Sequence, residues 1–202
     1  DLTPDQTRAA IHEIRSLTTK PFGANIPFLI PGAENNASVL VEEKVMVVNY
    51  TLGNGERLIK AVHEYGGKAG ATITNLRHAL SAEKRGADAV IVTGHEAAAH
   101  GGDVTSLVLV PSIVDAVGIP VIAAGGFADG RGLAAALTLG AEGIAMGTRF
   151  MNTVESPVHD TMKRLSNEKQ VNDTIYSNRI DGLPCRALNS QRAHILFKPS
   201  FF

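Results

Sequence analysis

Two histidines and a glutamate stand among small residues in Gly94-His95-Glu96-Ala97-Ala98-Ala99-His100-Gly101-Gly102. An imidazole takes or gives a proton near neutral pH, and small neighbours let a flat ring come close to it. The same pair suggests a metal site, but the spacing is not His-Glu-x-x-His and no third ligand clusters there, so no metal is expected. Two further segments carry anion chemistry. Ala124-Gly125-Gly126-Phe127-Ala128-Asp129-Gly130 and Met146-Gly147-Thr148-Arg149 each place glycine where an apolar run ends. Glycine lets backbone N–H groups approach an anion closely, and a helix opening there favours negative charge. Asn25, closing Pro21-Phe22-Gly23-Ala24-Asn25, either bonds the edge of a heterocycle or caps a turn. His12, His63, His78, His159 and His194 read as surface or structural residues, Cys185 as structural, and the Lys and Arg residues as solvated on helix faces.

These groups need a scaffold. Thr3-Pro4-Asp5-Gln6 reads as a capping box with proline at the first helical position. Apolar residues at helical spacing, and continuous apolar runs of the kind buried parallel strands show, then alternate. Strands are expected near 21–26, 45–50, 68–74, 88–94, 120–126 and 143–150. Helices are expected over 35–44, 55–65, 75–85, 107–117, 130–139 and 155–167. A weak repeat supports the alternation: a helix ends in glycine and an apolar strand follows, at Gly86, Gly118 and Gly140. Residues 173–188 read as a short extended or loop excursion, and 194–202 show no period.

Six strands with alternating helices point to an α/β (β/α)8 TIM-type barrel lacking its first one or two N-terminal βα units, since a closed barrel takes eight strands and usually ~250 residues. An open doubly wound sheet is the alternative. Residues 1–168 are the barrel part, and 169–202 an excursion and tail packing on it. Active sites of such barrels lie at the carboxyl ends of the strands, often with phosphate between the last two loops.

Composition narrows the class. The chain has 202 residues and a net charge of −1, which argues for neither nucleic acid nor an anionic membrane as partner. No apolar run reaches the ~18 residues of a membrane span, no signal peptide opens the chain, and Cys185 stands alone. A cytoplasmic setting is therefore expected.

Pro21–Asn25, the 94–102 loop, Ile119-Pro-Val-Ile-Ala-Ala-Gly-Gly-Phe-Ala-Asp-Gly130 and Met146-Gly-Thr-Arg-Phe150 together resemble the nitronate monooxygenase family, formerly called 2-nitropropane dioxygenases. The resemblance runs over about residues 3–188 and is most specific over 119–150. It implies an FMN-binding TIM barrel that oxidises nitronates or nitroalkanes with dioxygen, with a monomer and a homodimer both open. His100 takes the place of the catalytic histidine. Asn25 matches a flavin-contacting asparagine, and Gly125, Gly126, Gly147 and Thr148 match the phosphate cradle. Thr93, Gly101, Ala124 and Met146 are expected on the cofactor as well. Two departures stand out: the family loop usually reads Glu-Ala-Gly-Gly-His where this chain has Ala98 and Ala99, and Thr72 stands where some members carry lysine. The competing functions are an NAD(P)H-dependent flavin reductase of the enoyl-ACP or quinone type, and a truncated barrel without catalysis.

Overall fold

The structure is a computed structural model, which describes residues 2–179, 182–190 and 193. In chain order the elements are α1 (Pro4–Leu17), β1 (Gly23–Pro27), α2 (Ala33–Glu42), β2 (Val47–Thr51), α3 (Glu56–Glu64), β3 (Lys68–Ile73), α4 (Leu76–Lys84), β4 (Ala89–Thr93), β5 (Ala99–His100) and α5 (Ser106–Val114). They continue with β6 (Val121–Ala124), α6 (Gly130–Thr138), β7 (Gly143–Ala145), α7 (Thr148–Met151), α8 (Asp160–Glu168), β8 (Thr174–Ser177) and β9 (Cys185–Leu188). The alternation of parallel strands with helices is that of a (β/α)8 barrel, with β1 to β4, β6 and β7 as barrel strands. Two compact units divide the chain: residues 2–91 with 113–121, and residues 92–112 with the described residues from 122 on.

In the first unit, Thr3 and Gln6 close the capping box that starts α1: Gln6 N–H donates to Thr3 Oγ1 at 3.3 Å, and Thr3 N–H to Gln6 Oε1 at 2.9 Å. Strands β1, β2 and β3 run parallel, with Ala24 opposite Val48 and Val48 opposite Ala69. The residues that face the helices form the core: Val48, Val62, Ala69 and Ala71 are fully buried and Ile59 nearly so. Each Val or Ile buried in this way contributes about 1.5–3 kcal/mol relative to exposure. The αβ turn read from the sequence is present at Gly86, which takes φ +91°, donates to Glu83 O, and is followed by Ala87 N–H donating to Ala82 O. This is the left-handed helix ending that glycine favours. Gly118 departs from the repeat. Its φ is not positive, and its N–H donates to Glu83 Oε1 at 2.6 Å.

In the second unit β6 and β7 are parallel, with Ala124 opposite Ala145. Gly140 ends α6 at φ +89° in the same manner as Gly86 ends α4. Two expectations need correction here. The run expected as a strand over 143–150 stops at Ala145, and Thr148 opens the short helix α7 instead. The last helix starts at Asp160 rather than near 155, where His159 serves as its cap and accepts from Thr161 N–H. The excursion at 173–188 contains real strands. β8 pairs antiparallel with β9, and β9 pairs antiparallel with β5, making a three-stranded sheet in the order β5-β9-β8. His194 and the 194–202 tail lie outside the described residues.

Candidate active site

Strand register brings two of the glycine segments side by side. Because Ala124 pairs with Ala145, Gly125 and Gly126 leave β6 next to the Met146–Gly147 step that leaves β7. Gly125 has φ +101° and Gly126 φ +78°, where any other residue is strained. A Cβ on Gly125 would lie 3.0 Å from Ser106 Oγ, 3.1 Å from Gly94 O and 3.2 Å from Ala97 N, so the backbone itself is packed against the 94–97 turn. Gly147 has open space around its Cα and caps α7 without a side chain. The first turn of α7, from Thr148, therefore has no side-chain cap at its N–H groups.

Helix α6 is different. Asp129 accepts from Arg131 N–H at 2.9 Å and from Gly132 N–H at 3.4 Å, and pairs with the Arg131 guanidinium at 2.6 Å. The bond from the Arg131 side chain holds the Asp129 carboxyl down at about 2. The start of α6 thus carries its own carboxylate. Of the anion-binding features read from the sequence, the Gly125–Gly126 turn and the Gly147–Thr148 step are the ones the geometry leaves for a ligand.

The histidine loop is held from three directions. Glu96 accepts the Ser106 N–H at 2.9 and 3.1 Å, so its carboxylate closes the start of α5. Ser106, itself buried, directs its hydroxyl to Gly125 O at 2.8 Å, with Glu96 Oε2 at 3.0 Å. One side chain therefore ties the loop to the glycine turn. On the other flank His95 stacks on Tyr176, with ring centroids 4.4 Å apart and planes at 58°, and His95 Nδ1 donates to Gly102 O at 3.0 Å. Tyr176 O–H donates to Gly101 O at 3.1 Å, and partial burial raises the Tyr176 pKa. The Arg186 guanidinium covers the Tyr176 ring at 5.5 Å and donates from Nε to His95 O at 3.2 Å.

His100, half-buried on β5, pairs with Cys185 of β9. Its Nδ1 bonds Pro184 O at 3.2 Å. A carbonyl only accepts, so Nδ1 carries the proton in this bond. Ala99, one residue earlier, has φ +59°. This alanine is held in the left-handed region, which favours glycine. Thr93 is buried at the end of β4, and Gly101, Ala124 and Met146 are half-buried in the same unit.

Asn25 belongs to the first unit. It lies on β1 opposite Asn49, whose Nδ2 donates to Asn25 Oδ1 at 2.7 Å and to Thr72 Oγ1 at 2.8 Å. With its oxygen engaged, Asn25 presents its own Nδ2 as a donor. Asn49 Oδ1 is buried without a hydrogen-bond partner among the described residues, and a Cβ at Gly70 would lie 3.0 Å from it. An orphaned acceptor of this kind calls for a ligand or ordered solvent. The sequence reading missed Asn49, Ser106, Tyr176 and Arg186. Motif spacing gives no hint of them, because each acts through a partner distant in sequence.

Fold and strand-end geometry define part of a (β/α)8-type barrel, six parallel strands alternating with helices, whose candidate site residues lie where strands end. The family is narrower: residues 32–196 match the nitronate monooxygenase model, and the chain belongs to that family. A dehydrogenase of (3aS,4S,5R,7aS)-5-hydroxy-7a-methyl-1-oxo-octahydro-1H-indene-4-carboxyl-CoA from Rhodococcus jostii (strain RHA1) is 43% identical over 195 residues, 96% of this chain and 55% of that protein. A probable nitronate monooxygenase from Staphylococcus saprophyticus is 37% identical over 168 residues, 77% of this chain and 47% of that protein. The structure of FabK from Thermotoga maritima matches with a TM-score of 0.92 at 44% identity, covering 96% of this chain and 62% of that one. The chain thus spans about half the length of the curated relatives it matches. No helix among the described residues is long and apolar enough to cross a membrane.

Proposed function

We infer that the protein is a flavin-dependent oxidoreductase that holds FMN and exchanges a substrate proton through His100. The observation that carries this reading is the pairing of β6 with β7, which sets the positive-φ Gly125–Gly126 turn beside Gly147 and Thr148. Positive-φ glycine backbone of this kind can turn its N–H groups to a phosphate, and a Cβ on Gly125 would press tightly on the 94–97 turn. Gly125, Gly126, Gly147 and Thr148 would hold the phosphate. Ala124, Met146, Thr93 and Gly101 would contact the cofactor too, and Asn25 would donate from Nδ2 to an acceptor on the heterocycle. FMN, when bound, supplies the two-electron chemistry that no side chain here can perform.

His100 does the proton work. Its ring is oriented by the bond from Nδ1 to Pro184 O, and it is the group that would take or return the proton. The matching substrate has a carbon acidified by a neighbouring electron-withdrawing group. In a nitroalkane that group is nitro, and the nitronate is the deprotonated form. Dioxygen then serves as final electron acceptor, as the family resemblance implies. In an acyl-CoA thioester the group is the carbonyl. The higher identity and fuller coverage of the carboxyl-CoA dehydrogenase relative favour this second substrate class.

The test is a visible spectrum of the purified protein, as isolated and through a titration with FMN. Stoichiometric binding with oxidised-flavin bands, released on denaturation, is expected. Turnover is then assayed with a nitronate under air and with acyl-CoA thioesters. A colourless protein that leaves the FMN spectrum unmoved overturns the cofactor assignment and the role of His100 with it.

A further inference from the structure

A second cavity lies wholly in the first unit and shares Thr72 with the Asn25–Asn49 cluster. Its volume is about 530 Å³, in the range of small-molecule pockets. Tyr50, Ile73 and Ala82 line its floor, the 52–54 loop one wall, and the α4 side the other. On that side Arg77, Ser81 and Arg85 recur every four residues, which stacks them along one helix face. His78 joins them, with Arg77 Nη2 at 3.4 Å from its Nε2. The sequence alone left these cations as solvated surface. The cavity shows that they share one concave wall.

The lining offers donors and no carboxylate. Guanidinium groups only donate. Asn54 has its Oδ1 engaged by Glu56 N–H at 3.0 Å, so its Nδ2 is the end left for a ligand. Thr72 and Thr74 add hydroxyls. The nearby Glu56 is paired with Lys60 at 2.8 Å and also feels the charge of Arg85, which acts on the Tyr50 hydroxyl as well. The loop is moulded rather than floppy. A Cβ on Gly55 would fall 2.2 Å from Tyr50 Cε1 and one on Gly53 2.4 Å from Phe28 Cβ, so both glycines rest directly on those side chains. Burial, together with the charge of Arg77, holds the His78 pKa below its ordinary value. That keeps a neutral ring beside two permanent cations until an anion enters.

We propose that this cavity binds a ribose phosphate monoester of a nucleotide cosubstrate, the 3′-phosphate of a coenzyme A thioester or the 2′-phosphate of NADP(H). The proposal rests on the oxidoreductase reading above and adds to it the class of cosubstrate. Such a monoester carries close to two negative charges at neutral pH, which the two guanidiniums match, and its oxygens accept only, as the lining requires.

Calorimetric titration of the whole protein tests this with coenzyme A against dephospho-coenzyme A, and NADP+ against NAD+. At least tenfold tighter binding of one phosphorylated member than of its dephosphorylated partner is expected, and the pair that discriminates identifies the source. Arg77→Gln and Arg85→Gln should each weaken the phosphorylated ligand by about 10–100-fold, the worth of a charge-assisted hydrogen bond, while leaving the dephosphorylated one unchanged. Lys60→Gln, outside the cavity, is the control. Equal binding within both pairs, or full affinity in both arginine variants with melting curves unaltered, overturns the proposal. The FMN titration is independent of this readout. Loss of flavin binding with phosphate discrimination retained defeats the oxidoreductase reading alone, and the reverse defeats only this one.

Discussion

Replacing Ala99 with glycine should stabilise the protein, although the unfolded chain gains freedom. Ala99 sits at φ +59°. The left-handed region costs a non-glycine residue about 1–2 kcal/mol through the clash of Cβ with the following carbonyl. Glycine removes that clash but widens the unfolded ensemble, which costs about 0.4–1 kcal/mol. The Ala99 side chain is exposed, so no packing is forfeited. The balance favours Ala99→Gly by about 0.5–1 kcal/mol, a rise in Tm of about 1–4 °C for a chain of this size. Ala98→Gly supplies the internal control. Ala98 is absent from the positive-φ residues among those described, so there only the entropy difference acts and the variant should lose stability. Urea unfolding of both variants, followed by circular dichroism, reads the two signs. A neutral or destabilising Ala99→Gly, or two variants of the same sign, refutes the claim that the loop stores strain at residue 99.

Ser106→Ala removes the hydroxyl 2.8 Å from Gly125 O; losing a bond to a buried acceptor costs about 1–3 kcal/mol, and FMN affinity should fall with it in the same titration that measures binding. His100→Gln should retain FMN while kcat falls about 10²–10⁴-fold, and a variant with unchanged kcat removes the imidazole from the reaction. Asp129 has its folded-state pKa lowered from 3.8 to about 2, so its contribution to stability is present above pH 3.8 and lost as pH falls through 3.8 towards 2. Asp129→Asn should lower stability at neutral pH and flatten the pH dependence in that window, so that variant and parent converge below it.

The parallel β/α frame was legible because its signals are local. Buried strands read as unbroken apolar runs, and glycine marks the helix ends at Gly86 and Gly140 with φ +91° and +89°. The glycine turns and His100 could be singled out for the same reason, each being a short run of unusual composition. What stayed hidden depends on pairing. β8 and β9 are four residues each, too short for alternation to stand out, and β5 is two residues that exist as a strand only because β9 lies beside them. The strand expected through 150 stops at Ala145, and the backbone turns through Gly147 into α7. The cationic wall of Arg77 and Arg85 was overlooked because a helix face of that kind is usually solvated, and only the 52–54 loop opposite makes it concave.

The strained alanine and the C-terminal hairpin explain each other. A residue in the left-handed region persists only when its surroundings over-determine it. Ala99 is paired in antiparallel register with Arg186, and His100 with Cys185. Arg186 in turn is fixed by Thr174 Oγ1 at 2.9 Å, by the Tyr176 face and by His95 O at 3.2 Å. The ladder therefore sets φ at residue 99 whatever its side chain, and aims the His100 ring at Pro184 O. A glycine there would adopt the same geometry at less cost in the paired state, yet would let the loop leave it more easily when unpaired. Removing the clamp separates these effects. In Arg186→Ala the strain at Ala99 is no longer enforced, so adding Ala99→Gly should stabilise it by less than it stabilises the parent chain. Equal gains in both backgrounds would mean that the 94–102 loop holds Ala99 at φ +59° without help from β9.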